Sequence, residues 1–256
     1  MKKFYKYQGT GNDFIIADNR NGEWQAMDSN QIAALCDRRF GIGADGLMLL
    51  ENAEGYDFRM VYFNSDGNQS TMCGNGGRCL VSFAEYLKIV QKHCRFIAVD
   101  GPHQAEIPGP LVNLQMQDVK LVEKWNADYV LNTGSPHYVR FVQHVRNTDV
   151  YAEGRRLRYS AAFEKNGINV NFVEELTPGK IYVRTYERGV EDETRSCGTG
   201  VVAAAIAYFL KSGFSKNEIE IETPGGQLRV WFQYTNGTFT NVWLSGPAVK
   251  VFEGWV

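Results

Sequence analysis

Short stretches of alternating apolar and polar residues recur along the chain, punctuated by Gly, Asn, Asp and Pro. Phe4–Tyr7, Phe14–Ala17, Gly46–Glu51, Phe58–Phe63, Phe96–Val99, Ile181–Tyr186, Glu218–Glu222, Gln227–Phe232 and Phe239–Leu244 have the alternation or the β-branched and aromatic content of strands. Helical periodicity is rarer. After Cys73, residues Leu80, Phe83, Ala84 and Leu87 fall at i, i+3, i+4 and i+7, and Val81 widens the stripe. Val201 to Leu210 is apolar on every side. A helix without a polar face must be surrounded, and this one is too short to span a bilayer. Many short strands and two helices needing cover predict an α/β (α+β) protein, with a mostly antiparallel sheet curled around a central helix, made twice.

The order of elements supports that duplication. Gly9-Thr10-Gly11-Asn12-Asp13-Phe14 in the first half has a counterpart in Gly134-Ser135-Pro136-His137-Tyr138-Val139. The strand Phe58–Phe63 ends at Asn64 and leads through Ser65-Asp66-Gly67 to Cys73. The strand Ile181–Tyr186 ends at Glu187 and leads through Arg188-Gly189 to Cys197. The spacing from Asn12 to Cys73 nearly equals that from His137 to Cys197. The stretches 107–111 and 119–128 bracket the crossover, expected near residue 116. The expected domains are residues 1–116 with 247–256, and residues 117–246.

The chemistry concentrates at two glycine-rich turns, Met72-Cys73-Gly74-Asn75-Gly76-Gly77 and Ser196-Cys197-Gly198-Thr199-Gly200. Each sets a thiol directly before a predicted helix, among unpaired N–H groups at the positive end of the dipole. That placement favours the thiolate. Two thiols flanking one substrate carbon could invert its configuration, one removing a proton from one face and the other donating to the opposite face. The N–H groups of Gly74, Asn75, Gly198 and Thr199 would hold a substrate carboxylate, which can take up charge as the α-carbanion forms. Cys36, Cys79 and Cys94 lack this setting and read as buried structural residues. His137 follows Pro136 in what reads as a turn. It gains interest from its place opposite Asn12 in the repeat, as Glu187 does from its place opposite Asn64. His93, His103 and His144 read as surface residues, and Glu191-Asp192-Glu193 as a solvated loop.

Composition narrows the field. The 256 residues are 44% hydrophobic and 22% charged, the balance of an ordinary globular protein. A formal net charge of -2 provides no basic field for nucleic acid or an anionic membrane. The start lacks the apolar core of a secretory signal. The five cysteines show no metal-ligand spacing, so they read as reduced thiols in the cytoplasm and no metal is expected. Gly41-Ile42-Gly43-Ala44-Asp45-Gly46 spells the dinucleotide fingerprint. A helix-like stretch, Ile32–Arg38, precedes it and a strand follows, the reverse of the order that fingerprint needs.

Together these residues resemble the diaminopimelate epimerase family. The resemblance runs through Gly9–Phe14, Asp37–Gly46, Phe63-Asn64-Ser65-Asp66-Gly67, Met72–Cys79, Gly134-Ser135-Pro136-His137, Asn169-Val170-Asn171-Phe172, Tyr186-Glu187-Arg188-Gly189, Ser196–Gly200 and Gly246-Pro247-Ala248-Val249. It implies a pyridoxal-phosphate-independent epimerase, with no cofactor, that interconverts LL- and meso-diaminopimelate for lysine and peptidoglycan precursors. It implies Cys73 and Cys197 as acid/base thiols, with His137 and Glu187 tuning or assisting them. Asn12, Asn64, Asn169, Glu187 and Arg188 would hold the substrate with Gly74, Asn75, Gly198 and Thr199. It further implies a homodimer involving the C-terminal strand.

The chain departs from the family pattern in three places. Ser135 stands where the family has Asn, Gly46 where many members have Gln, and the loop from Glu187 to Cys197 is one residue longer than the common form. The first two bear on how the distal amino-acid group is bound. Two other readings share some of these features: a cofactor-independent racemase of the proline racemase type, and a non-catalytic amino-acid-binding protein switched by oxidation of its two thiols. Asn75, Ser196 and Tyr186-Glu187-Arg188-Gly189 separate the chain from the proline racemase pattern.

Overall fold

The first alternating stretches pair with each other: β1 (Lys3–Gly9) and β2 (Asn12–Asp18) form an antiparallel hairpin. The computed structural model describes residues 1–256, and two compact units divide them. One comprises Met1–Leu114 with Gly246–Val256, the other Gln115–Ser245.

In the first unit, helix α1 (Ser29–Cys36) leads to β3 (Gly46–Glu51), which returns parallel to β2 and pairs antiparallel with β4 (Phe58–Asn64). Helix α2 (Gly74–Tyr86) then crosses to β5 (His93–Ala98), parallel to β4. Strands β6 (Gly101–Glu106) and β7 (Leu111–Gln115) complete a meander.

The second unit runs through β8 (Val122–Trp125), β9 (Asp128–Asn132) and β10 (Pro136–Phe141), then helix α3 (Val150–Arg158), β11 (Asn169–Thr177) and β12 (Lys180–Glu187). A short β13 (Asp192–Thr194) precedes helix α4 (Gly198–Ser212). Strands β14 (Glu218–Thr223), β15 (Gly226–Thr235) and β16 (Thr238–Pro247) follow. The final strand, β17 (Val249–Trp255), pairs with β1.

The two sheets share one pattern. From β1 to β7 the successive pairings are antiparallel, parallel, antiparallel, parallel, antiparallel, antiparallel. From β9 through β10, β11, β12, β14 and β15 to β16 the series is identical. Each parallel step is bridged by a helix, as parallel pairing requires a long crossover. The expected fold is therefore present: two pseudo-symmetric units, each with a largely antiparallel sheet and a central helix.

Strand alternation decides which residues meet that helix. In β2, Ile15 and Ala17 pack with Ile32 and Cys36 of α1. Asn12 and Phe14 share the opposite parity, the one that meets α2. In the second unit Tyr138, Val170, Phe172, Tyr182 and Tyr186 pack with Val150 and Leu157 of α3. His137, Asn169, Asn171 and Thr185 are therefore on the face toward α4. That helix is buried around its circumference, with Val201, Val202, Ala204 and Ile206 fully enclosed. Val201, Val202 and Ile206 each contribute roughly 1.5–3 kcal/mol by leaving water.

Several expectations need correction. His137 is in a strand rather than a turn. Pro136 opens β10, a position where its missing N–H costs no ladder bond. The acidic loop is partly ordered as β13. Arg184 donates to both oxygens of Glu193, and Arg158 and the Tyr186 hydroxyl bond Glu191. His103 is not a solvated surface residue: its ring stacks on Phe96 and bonds Asp100 at 3.1 Å. The fingerprint-like loop is the tight connection from α1 into β3, as the order of elements predicts. A Cβ at Gly46 would lie 2.3 Å from the Phe63 carbonyl oxygen, so no side chain fits at this position.

Candidate active site

Each predicted site residue is placed by one of the two units. In the first, Cys73 is the N-cap of α2. Asp28 and Asp149 cap α1 and α3 through their carboxylates, whereas a cysteine holds that position at the head of α2. The Gly77 N–H makes the first helical bond, to the Cys73 carbonyl at 2.7 Å. The N–H groups of Gly74, Asn75 and Gly76 therefore stand ahead of the helical ladder. Asn12 opens β2 with its amide beside this turn. Its Nδ2 donates to Asp45, which fixes the amide orientation and turns Oδ1 toward α2. That oxygen accepts from Asn75 Nδ2 at 3.4 Å and from the Cys73 thiol at 3.6 Å. Asn64 closes β4, in register with Gly46.

Sequence reasoning missed the support beneath Asn12. Asp45 is itself held by Arg38, which also bonds Asp13 at 2.6 Å. Lys6 pairs with Asp13 at 2.6 Å. Burial opposes ionisation of Asp13, but Arg38 and Lys6 outweigh it and hold the carboxyl below its ordinary range. The fingerprint-like loop thus serves the site by presenting Asp45, and no phosphate chemistry is involved in that contact.

Arg78 is a second unassigned contributor. It lies one turn into α2 and is fully buried without a carboxylate partner. Its guanidinium donates to the Gly74 carbonyl at 3.4 Å and to Thr10 Oγ1 at 3.3 Å. Burial opposes its charge, and Cys79 and Cys73 are the groups whose ionised forms would favour it. A buried cation next to the Cys73 turn reinforces the preference of that turn for negative charge.

In the second unit Cys197 caps α4, and the Val201 N–H makes the first helical bond to its carbonyl at 3.0 Å. The N–H groups of Gly198, Thr199 and Gly200 precede the ladder. Thr199 Oγ1 is 3.5 Å from the Cys197 sulfur and 2.9 Å from His137 Nε2. His137 is fully buried, and burial, assisted by the Arg188 charge, pushes its pKa down to about 3. Asn169 joins two strands' ends: its Nδ2 donates to the Pro136 carbonyl and its Oδ1 accepts the Arg188 N–H at 2.8 Å. The Arg188 guanidinium bonds the Asn166 carbonyl. Glu187 ends β12 opposite Asp192. Cys36, Cys79 and Cys94 are buried thiols, with pKa values pushed up by burial to about 11, 12 and 12. They are poor nucleophiles, as structural cysteines should be. No group of three or more His, Cys, Asp or Glu side chains converges as a metal site.

This doubled sheet-and-helix fold is that of the PhzF and proline racemase class of structures. It matches a PhzF-family phenazine biosynthesis protein from Bacillus anthracis with a TM-score of 0.79, at 13% identity over 100% of this chain and 98% of that one. It also matches a hydroxyproline epimerase from Agrobacterium vitis with a TM-score of 0.67, at 15% identity over 99% of this chain and 91% of that one. At such identities the likeness concerns the fold alone. Sequence is more specific. The family model for diaminopimelate epimerase matches residues 4–121 and 129–251. A protein of Flavobacterium psychrophilum named diaminopimelate epimerase is 54% identical over 252 residues, covering 98% of both chains. The chain belongs to the diaminopimelate epimerase family.

Proposed function

We infer that this protein is an isomerase that epimerises LL-diaminopimelate and meso-diaminopimelate at one α-carbon, with Cys73 and Cys197 as the acid/base pair. One observation supports this reading above the others. The two helices that follow the duplicated glycine turns both begin at a cysteine, with first-turn N–H groups outside the helical ladder. An α-carboxylate held by such N–H groups can accept the charge of a carbanion. One thiolate takes the α-proton and becomes a thiol. The opposite thiol gives its proton to the other face of the carbanion and becomes a thiolate. The next turnover runs in the reverse sense, or the two sulfurs exchange protons with solvent.

Asn12, Asn64, Asn75, Asn169 and Arg188 would bind the amino and carboxyl groups, and Glu187 would assist proton transfer. His137 would act on Cys197 through Thr199. The products would feed lysine and peptidoglycan precursors in the cytoplasm. A homodimer through β17 fits the exposure of Val251, Phe252 and Trp255 on that strand.

Incubating the protein with LL-diaminopimelate and, separately, with L-proline in deuterated water tests the reading. Deuterium should enter the α-position of diaminopimelate as the meso form appears, and proline should remain unlabelled. Exchange confined to proline would reject the assignment.

A further inference from the structure

Three side chains on the α4-facing side of the second sheet and Thr199 of α4 form one continuous hydrogen-bonded series ending at Cys197, and the hydrogen positions along it are dictated by the backbone acceptor at its root. The Tyr138 carbonyl can only accept. Asn171 must therefore turn its Nδ2 toward it, at 3.1 Å. With that orientation fixed, Asn171 Oδ1 accepts from Thr185 Oγ1 at 2.9 Å. The second hydrogen of Nδ2 is directed at His137 Nδ1, 3.1 Å away. A protonated Nδ1 would set N–H against N–H, so this nitrogen keeps its lone pair. The imidazole proton is then on Nε2 and donates to Thr199 Oγ1 at 2.9 Å. The Thr199 hydroxyl accepts that bond through one lone pair and has its own hydrogen available for the Cys197 sulfur at 3.5 Å.

We propose that Asn171 and Thr185 are positioning residues that lock His137 as the Nε2–H tautomer, so that the imidazole supports a Cys197 thiolate by donation through Thr199 and never receives the thiol proton. The proposal deepens the epimerase reading and rests on it for the role of Cys197. A general-base role would need an empty Nε2 and a proton on Nδ1, where the Asn171 amide stands. Burial and the Arg188 charge, beyond β12, disfavour an imidazolium, and a Cys197 thiolate meets the ring only across the Thr199 hydroxyl. The same amide explains a feature of the turn itself. A Cβ at Gly200 would lie 2.4 Å from Asn171 Oδ1 and 3.4 Å from the Cys197 sulfur, so the helix must begin with glycine at that point to admit the amide.

The test is the ring-nitrogen spectrum of the 15N-labelled full chain. The protein has four histidines, and the His137 signals are the set missing from His137→Gln. The wild type should show a pyrrole-type Nε2 and a pyridine-type Nδ1, unchanged from mildly acidic to mildly basic pH. Asn171→Asp presents only acceptors to Nδ1, so both ring nitrogens should become pyrrole-type, and the epimerisation rate should fall at least about tenfold. Should that variant not fold, Thr185→Val, which removes the hydroxyl that braces the amide oriented by the Tyr138 carbonyl, should broaden or mix the two tautomers while Thr185→Ser preserves the wild-type pattern. A protonated Nδ1 in the wild type, or titration of His137 near its ordinary pKa, overturns the proposal. The isotope exchange of the same wild-type sample separates the two readings. Exchange with a protonated Nδ1 removes only the tautomer lock, and a locked tautomer without exchange removes only the epimerase assignment.

Discussion

The buried imidazole of His137 makes the stability of the protein depend on pH in a direction that can be worked out in advance. In the unfolded chain this group binds a proton with a pKa near 6.5, whereas in the folded chain its pKa falls to about 3. The unfolded state therefore binds more protons whenever the pH lies between those values, and stability rises with pH across that window. As the pH falls from about 7 to about 5, the free energy lost through this one group is about 2 kcal/mol, with a limiting slope of about 1.4 kcal/mol per pH unit. The loss stops growing only below pH 3 or so. Against a total stability on the order of 10 kcal/mol this is a large fraction. Urea unfolding of the wild type and of His137→Gln, followed over that pH range, isolates the effect, because contributions from carboxylates such as Asp13 cancel in the difference. The wild-type curve should be steeper than the variant's by nearly one proton. Parallel slopes would mean that His137 is protonated or solvated in the folded protein, and the description of its surroundings would be wrong.

Three further substitutions probe the supports of the site. Gly200→Ala drives a Cβ against Asn171; overpacking of about 1–3 kcal/mol should exceed the ~1 kcal/mol gain in helix propensity, lowering the urea midpoint and the epimerisation rate together. Arg78→Met removes the buried cation next to the Cys73 turn, so alkylation of Cys73 by iodoacetamide should become several-fold slower at neutral pH while that of Cys197 is unchanged; equal rates would deny Arg78 an electrostatic role. Asp45→Leu releases the Asn12 amide, and KM should rise several-fold with a smaller change in kcat, as measured by a coupled assay of meso-diaminopimelate formation.

The parts of this architecture that were legible in the chain are those where one physical signal dominates. Val201–Leu210 could only be an enclosed helix, and the alternation in Phe58–Phe63 and Ile181–Tyr186 could only be strand. The thiol turns were legible because a Cys-Gly sequence before a helix is chemically unusual and occurs twice. What escaped notice lacks such a signal. Helix α3 presents only Val150, Gly154 and Leu157 to the core, and its Gly154 and three arginines dilute the period. Strand β10 opens with Pro136 and His137 after a Gly-Ser pair, which reads locally as a turn. Asn171 was the most recoverable omission. Asn169 and Asn171 stand at i and i+2 of a strand, alternating with the apolar Val170 and Phe172, so they share one face, and two amides on a buried face require partners. Asp45 and Arg78 gave no comparable signal, since their meaning comes from the residues across the sheet and inside the helix turn.

The central claim is that two sulfurs, each at the head of a buried helix, carry the protons of the reaction. Deuterium uptake from solvent by LL- and by meso-diaminopimelate, measured as initial rates in Cys73→Ser and Cys197→Ser, tests it most directly. Each variant should lose nearly all net epimerisation, and each should retain α-proton exchange with one epimer at most, the two variants favouring opposite epimers. Undiminished epimerisation in either variant would contradict the account.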